Sequence, residues 1–335
     1  MISAITKYTS KKLNRICQKL VKISNFEKKK VSQAIFKINP DLKKKVIFGS
    51  GVSEIVDDDF FKNLNFLWND NETLKLINNP KRMLEKLEKI GIDIPNWSIK
   101  KPSCKYYLKK DTRSYGGLLV SRYNQKLKKC LVTKHTYFQE FIEGDVFSSQ
   151  FFVRKDLSVK LLSICEQINV HGTFKLGGLI LENKNSLLES KIKKIIKQIS
   201  LNFNLRGINT IDFIVPTNKK DGIKLIEINP RPSLSSNILL RKFRGNLFNF
   251  TKKSNKDKFA TFIIYSERRL NFSNVKFSVI KNYYPFIEFS EIPKDNEEIE
   301  KGQPIFLAHN VLKEGDEPLV NYNLISNKIN RIFLI

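Results

Sequence analysis

Acidic residues are scarce in this chain: 33 Asp and Glu stand against 60 Lys and Arg, a formal charge of +27. That shortage excludes an acidic solvating tail and raises the question of a polyanion partner. Arginine is scarce as well, supplying 12 of the 60 basic residues. It is the side chain best suited to bidentate phosphate and guanine contacts. The lysines are spread along the whole chain in company with Asn, Ile and Phe, which share A/T-rich codons. Codon bias accounts for the charge, and no specific nucleic-acid partner is expected. Only four cysteines occur, Cys17, Cys104, Cys130 and Cys165, far apart and without CxxC spacing. This argues against a disulfide framework or a zinc site and predicts a reducing, cytoplasmic setting. No apolar run approaches the roughly 18 residues of a membrane span, so no membrane partner is expected. Met1 to Leu20 has lysines but no apolar core, so no secretory signal is expected either. The three histidines, His135, His171 and His309, are scattered and read as structural, His171 in NVHGTFKLGG being the best exception. No Ser-His-Asp or Cys-His arrangement is recognisable.

What remains is an ordinary globular composition, 41% apolar over 335 residues, enough for one large or two to three small domains. Leu13, Ile16, Cys17, Leu20 and Val21 have the spacing of an amphipathic helix over 11–23. KVIFGSG (45–51) reads as a short buried strand entering a glycine turn, whose Gly49 and Gly51 are weak candidates for a ligand. Met83, Leu84, Leu87 and Ile90 predict a helix stopped by Gly91 and Pro95. Strands are predicted over 105–110, 118–123, 137–142 and 146–153. A helix is predicted around Leu188 to Ile199, and a hairpin of strands over 210–215 and 224–228. The polar run TKKSNKDK from Thr251 reads as a linker into short β-rich runs such as ATFIIY and PIFLAH. Strands interleaved with helices indicate an α/β or α+β protein.

Four features carry chemistry, in a fixed order. Lys110 ends a strand and leads into a glycine loop closing at Gly116 and Gly117. Such a loop can cover phosphates with backbone N–H groups while the lysine supplies a point charge. YFQEFIEGD (137–145) is an extended apolar segment whose backbone can meet an adenine edge and whose carboxylates can meet ribose hydroxyls. Asp212 sits centrally in TIDFIV, and Glu227 and Asn229 alternate with isoleucines in EINPR, so the latter two share one face of a strand. A hairpin would gather Asp212, Glu227 and the Asn229 amide oxygen into a hard-oxygen set suited to Mg²⁺. Arg231, just beyond, is placed to clamp a γ-phosphate or an acyl phosphate.

Taken together and in this order, these motifs resemble the ATP-grasp superfamily, which includes D-alanine–D-alanine ligase, biotin carboxylase and purine-pathway carboxylases. The resemblance runs from about Asn78 to Pro232, and Glu227-x-Asn229-Pro-Arg231 is its most specific part. It implies an α+β ATP-grasp fold, two α/β subdomains clasping ATP, over 78–250. A short N-terminal α/β region (1–77) precedes it and a small C-terminal β-rich module (251–335) follows. It implies ATP and Mg as cofactors and a ligase joining a small-molecule carboxylate to an amine through an acyl phosphate. Lys110 and Arg231 are its implied catalytic residues. Lys81 (or Arg82), Lys110 and the loop Ser114, Gly116 and Gly117 would bind phosphates. Gln139, Glu140, Phe141 and Ile142 would form the adenine hinge, Asp145 the ribose contact, and Asp212, Glu227 and Asn229 the metal site. Two departures stand out. Lys110 is followed by Asp111 where proline is usual, leaving Lys109 a rival, and Arg113 and Tyr115 occupy a loop where small residues are common. More narrowly, the layout is similar to tyramine–glutamate ligase-like proteins of methanofuran and tetrahydromethanopterin one-carbon metabolism. A catalytically silent ATP- or nucleic-acid-binding protein with the same fold is the alternative, and a homodimer stays open.

Overall fold

The computed structural model describes residues 2–6, 17–23, 27–49, 63–103, 106–113, 116–123, 131–182, 186–218, 222–242 and 258–334. The N-terminal part holds β1 (Ile2–Thr6) parallel to β2 (Cys17–Lys22), and α1 (Lys28–Ile38), which packs on both. The amphipathic helix expected over 11–23 is not formed at its C-terminal end, because Cys17–Lys22 is a strand. Pairing with Ile2–Thr6, invisible to a local period, decides it. The buried strand expected over 45–51 reduces to one parallel bridge, Val46 to Phe66, with Ile47 and Gly49 exposed. Ser50 and Gly51 lie outside the described residues.

Next come α2 (Asn71–Ile77) and α3 (Pro80–Lys89). The Asn79 side chain caps α3 by accepting from Arg82 N, Pro80 opens it, and Met83, Leu84 and Leu87 are buried. A small antiparallel sheet follows, ordered β3 (Trp97–Ser98), β6 (Thr136–Glu140), β4 (Tyr107–Asp111), β5 (Val120–Arg122).

The remaining chain builds one eight-stranded antiparallel sheet. Its members in chain order are β7 (Gly144–Val153), β8 (Val159–Asn169), β9 (Leu176–Leu181), β10 (Gly207–Pro216), β11 (Lys224–Asn229) and β12 (Lys258–Tyr265). The sheet is completed by β14 (Glu288–Ser290) and β16 (Pro304–Leu312), and β13 (Leu270–Asn271) pairs separately with β15 (Glu298–Ile299). Strand order across the sheet is β11-β10-β7-β8-β9-β12-β16-β14. The segment expected as a β-rich module of its own thus adds three strands to the sheet, through the pairing of Phe259–Phe262 with Gly178–Leu181. It also brings two helices, α6 (Asn274–Tyr283) and α7 (Pro318–Leu334), which follow α4 (Ser186–Asn202) and α5 (Leu234–Lys242).

Side-chain alternation divides the two faces. On one, Phe151, Ile164, Ile211, Phe213 and Leu225 meet Ile192, Ile196 and Ile199 of α4, and Phe262 and Ile264 meet Tyr322, Ile325 and Ile329 of α7. On the other, Cys165, Leu179 and Leu181 meet Ile238 and Leu239 of α5. That second face is only part covered, and the uncovered part floors a cleft against the small sheet. Among the described residues, no helix is long and apolar enough to cross a membrane.

Candidate active site

The cleft has a volume of about 3100 Å³ and lies between the small sheet, α3, α5 and the open face of the large sheet. Its floor is set by the hairpin β10–β11, in which Asp212 pairs directly with Glu227 and Thr210 with Asn229. The odd-numbered neighbours Ile211 and Phe213 turn into the core, so Asp212 must face the cleft, as does Ser148 opposite it on β7. Ser148 Oγ donates to Asp212 Oδ1, Gln167 Nε2 donates to Ser148 Oγ at 2.8 Å, and Asn229 Nδ2 donates to Asp212 Oδ2 at 3.2 Å. Burial holds the Asp212 carboxyl above its usual range, against the pull of these donors and of Arg231. Glu227 is exposed to the cleft and not sunk in apolar surroundings. Asn229 spends an amide N–H on Asp212 and keeps its oxygen as an acceptor, and two carboxylates and an amide oxygen make a hard-donor set that fits a divalent cation such as Mg²⁺.

Above this floor stands Lys110. Its Nζ donates to Gln139 Oε1 at 2.5 Å, and Glu227 and Asp212 both act on its charge. Burial lowers its pKa from 10.5 to about 8, with the two carboxylates opposing the fall. Lys110 lines the cleft and Lys109, one residue out of phase on β4, does not. Gln139 is 2% exposed, and its Nε2 has no hydrogen-bond partner among the described residues. A buried donor left open in this way fits a ligand acceptor such as a base edge.

The hinge is more committed than its sequence implies. Glu140 N–H donates to Asn96 O and Phe141 N–H to Tyr106 O, both at 2.7 Å, tying the strand to its own sheet. The Glu140 carboxylate accepts from Asn96 N and Nδ2. Phe141 lies under the Arg122 guanidinium at 4.5 Å, and Ile142 lines the cleft. Asp145 does not line it: Val146 and Ser148 face the cleft, and Asp145 falls on the alternate face with Phe147, which stacks on Phe213. Glu143, two residues earlier, takes the cleft position instead.

In the glycine loop, Gly116 and Gly117 have φ of 57° and 76°, the left-handed region that favours glycine. A Cβ on Gly117 would stand 1.8 Å from Phe174 O, and Leu176 N–H donates to Gly116 O at 3.1 Å. The loop is therefore seated on the β8–β9 turn. Ser114 lies outside the described residues, as does Tyr115. Lys81, in the first turn of α3, donates to Lys134 O at 2.9 Å at the rim of the cleft, and Arg231 lines the floor.

Sequence reasoning missed three positioning residues. Ser148 and Gln167 were legible only as polar interruptions in apolar strands. Asn69 is buried at 4% exposure; it donates at 2.8 Å to both Asn209 Oδ1 and Pro230 O and accepts at 2.7 Å from Arg206 N. That fixes the turn carrying Arg231 to β10, and its only trace was an amide in the run LWND. Gly207 makes room for this junction, since a Cβ there would meet the Trp68 ring at 1.9 Å.

Residues 77–235 match the ATP-grasp domain family. The L-amino acid ligase of Bacillus licheniformis is similar in structure, with a TM-score of 0.68 at 14% identity over 93% of this chain and 86% of that one. The fold is the ATP-grasp fold. A biotin carboxylase domain of the Hydrogenobacter thermophilus 2-oxoglutarate carboxylase, in complex with MgADP, ADP and bicarbonate, also superposes. Its TM-score is 0.64 at 12% identity, covering 93% of this chain and 80% of that one. An uncharacterized protein of Methanocaldococcus jannaschii is 25% identical over 280 residues, 77% of this chain. The match spans 66% of that relative's length, just under two thirds. In the ATP-grasp frame, the hairpin acids, the lysine and the glycine loop all belong to one cleft.

Proposed function

We propose that this protein is a Mg-ATP-dependent ligase that activates a small-molecule carboxylate and joins it to an amine through a carbon–nitrogen bond. The observation that carries the reading is the direct pairing of Asp212 with Glu227, with Asn229 beside them and Lys110 overhead. Structures of this fold include an amino acid ligase and a MgADP complex, which agrees with the donor set here. When bound, the metal ion neutralises triphosphate charge at the reacting end. Lys110 supplies a further positive charge to the α- and β-phosphate oxygens, and Gln139 holds it in place by accepting from its Nζ. The seated glycine loop keeps water from the phosphates. The substrate carboxylate attacks the γ-phosphorus in line, ADP leaves, and Arg231 balances the charge of the resulting acyl phosphate.

The narrower place in one-carbon coenzyme biosynthesis rests on the motif resemblance alone. A test of the ligase reading is ADP release under Mg-ATP with a panel of carboxylic acids, with and without amines. Release that requires both an acid and an amine is the expected result. Mg-ATP binding without acid-dependent ADP release identifies a silent nucleotide-binding protein instead.

A further inference from the structure

Past the metal-binding end, the cleft continues along α5 toward β14. Asn237 and Arg241, four residues apart on one face of α5, line it, while Ser235, Ile238 and Leu239 are buried. At ~1.5 Å rise per residue they stand about 5 and 10 Å along the axis from Leu234, where the helix leaves the phosphate end. Facing them are Glu288, Ser290 and Glu291. Arg241 is ion-paired with Glu288. The Asn237 side chain and the Arg241 charge both act on the Glu291 carboxylate, and no ion pair engages it among the described residues. This arm therefore keeps a net negative charge in a chain of +27.

Glu291 is also held deliberately. Its φ of 56° lies in the left-handed region, which a glutamate adopts only when its surroundings impose it. The neighbouring Ser290 Oγ shares a hydrogen bond of 2.8 Å with His309 Nε2, and His309 Nδ1 meets Thr261 Oγ1 at 2.9 Å. Burial, helped by Arg241, lowers the His309 pKa to about 3, so a neutral ring bridges the two hydroxyls and anchors the strand end. Glu291 itself stays exposed to the cleft, and partial desolvation there raises its carboxyl above its usual range, opposed by Asn237 and Arg241.

Building on the ligase reading above, we propose that this arm is the amine subsite, in which Glu291 receives the primary ammonium of the second substrate. The amine carries one positive charge and reaches the acyl phosphate from the α5 side. Its nitrogen forms the new bond to the acyl carbon, the carbon–oxygen bond to phosphate breaks, and inorganic phosphate leaves with the electron pair. Of the ammonium's three protons, one stays on the amide, one goes to phosphate and one passes through Glu291 to solvent.

Hydroxylamine tests this, because it intercepts acyl phosphates and is uncharged near neutral pH. ADP release is measured with the active acid, using hydroxylamine or members of an amine panel (amino acids, amino acid amides, alkyl diamines). In the Glu291→Gln variant, the ratio of amine-dependent to hydroxylamine-dependent turnover falls at least tenfold, through the KM for the amine. A Glu291→Lys variant lowers that ratio further, and melting curves confirm that both are folded. An unchanged ratio in both variants overturns the subsite, as does a wild-type protein in which no panel amine outperforms hydroxylamine. Absence of acid-dependent ADP release with every nucleophile refutes instead the ligase reading.

Discussion

Replacing Gly117 by alanine tests whether the loop seat seen here is the working position of the loop. The added Cβ would lie 1.8 Å from Phe174 O and 2.6 Å from its carbonyl carbon, where ordinary contact begins at 3.4 Å. Both neighbours are backbone, so the loop itself has to retreat by more than an ångström. Retreat breaks the hydrogen bond from Leu176 N–H to Gly116 O, about 1 kcal/mol net. Keeping φ at 76° costs an alanine about 1–2 kcal/mol more. The seated position thus loses about 2–3 kcal/mol, or about 30- to 150-fold in any equilibrium that requires it. Neither glycine belongs to a core cluster, so the loop can lift without unfolding the protein. Mg-ATP affinity, read by calorimetry, should fall by that factor while the ligand-free melting temperature falls by only a few degrees. Gly116→Ala is the internal control, because nothing lies within 4 Å of its Cβ. Only the dihedral strain remains there, about 1–2 kcal/mol, so its loss of affinity should be several-fold smaller. Equal affinity of wild type and Gly117→Ala for Mg-ATP would refute the argument.

Glu227→Gln should fold normally yet lose at least about 100-fold in ADP release, since a charged donor to the reacting phosphates is gone. Its neighbour Ile228→Asp should do the reverse and fail to fold, because it buries an unpaired carboxylate at a position 2% exposed, a cost of about 4 kcal/mol or more; thermal melts separate the two. Lys110 has a folded pKa of about 8 against 10.5. The unfolded chain therefore holds more protons between those values, and the Lys110 contribution to stability rises with pH across that window. Triphosphate binding restores the charge, so Mg-ATP should bind with proton uptake near pH 8.5, seen as a buffer-dependent enthalpy that Lys110→Arg removes; a buffer-independent wild type counts against the assignment. Asn69→Ala strips partners from Asn209, Pro230 and Arg206 and should cost about 2–4 kcal/mol by denaturant titration. An effect below 1 kcal/mol would show that water replaces the amide there.

The parts legible in the sequence were those whose signal is local. The isoleucine alternation around Glu227 and Asn229 set their shared face. The polar turn between 216 and 224 set the hairpin, and the stripe from Met83 to Ile90 with the stop at Gly91 marked α3. Features that depend on distant pairing were not. Cys17–Lys22 has a helical period but pairs with a strand 11 residues upstream of its start. The orientation of Asp145 follows from the pleat of β7, which was placed only once its register with β10 was known. Asn69 acts across more than 130 positions of sequence, and no period or motif announces such a contact.

The continuity of the large sheet also bears on how the protein can be cut. β12 is hydrogen-bonded to β9 along Phe259–Phe262, and β16 and β14 follow it outward. A truncation before Lys258, placed where the sequence reads like a linker, would therefore strip a neighbour from LGGLIL (Leu176–Leu181) and leave a flat apolar edge with unsatisfied N–H and C=O groups. Ile168 and Ile180 would lose their cover of Phe262, Tyr322 and Ile325 at the same time. Such an edge recruits other chains, so the shortened protein would be expected to accumulate in inclusion bodies when overproduced. For the same reason a fusion or tag is better carried beyond Leu334 than at the apparent linker.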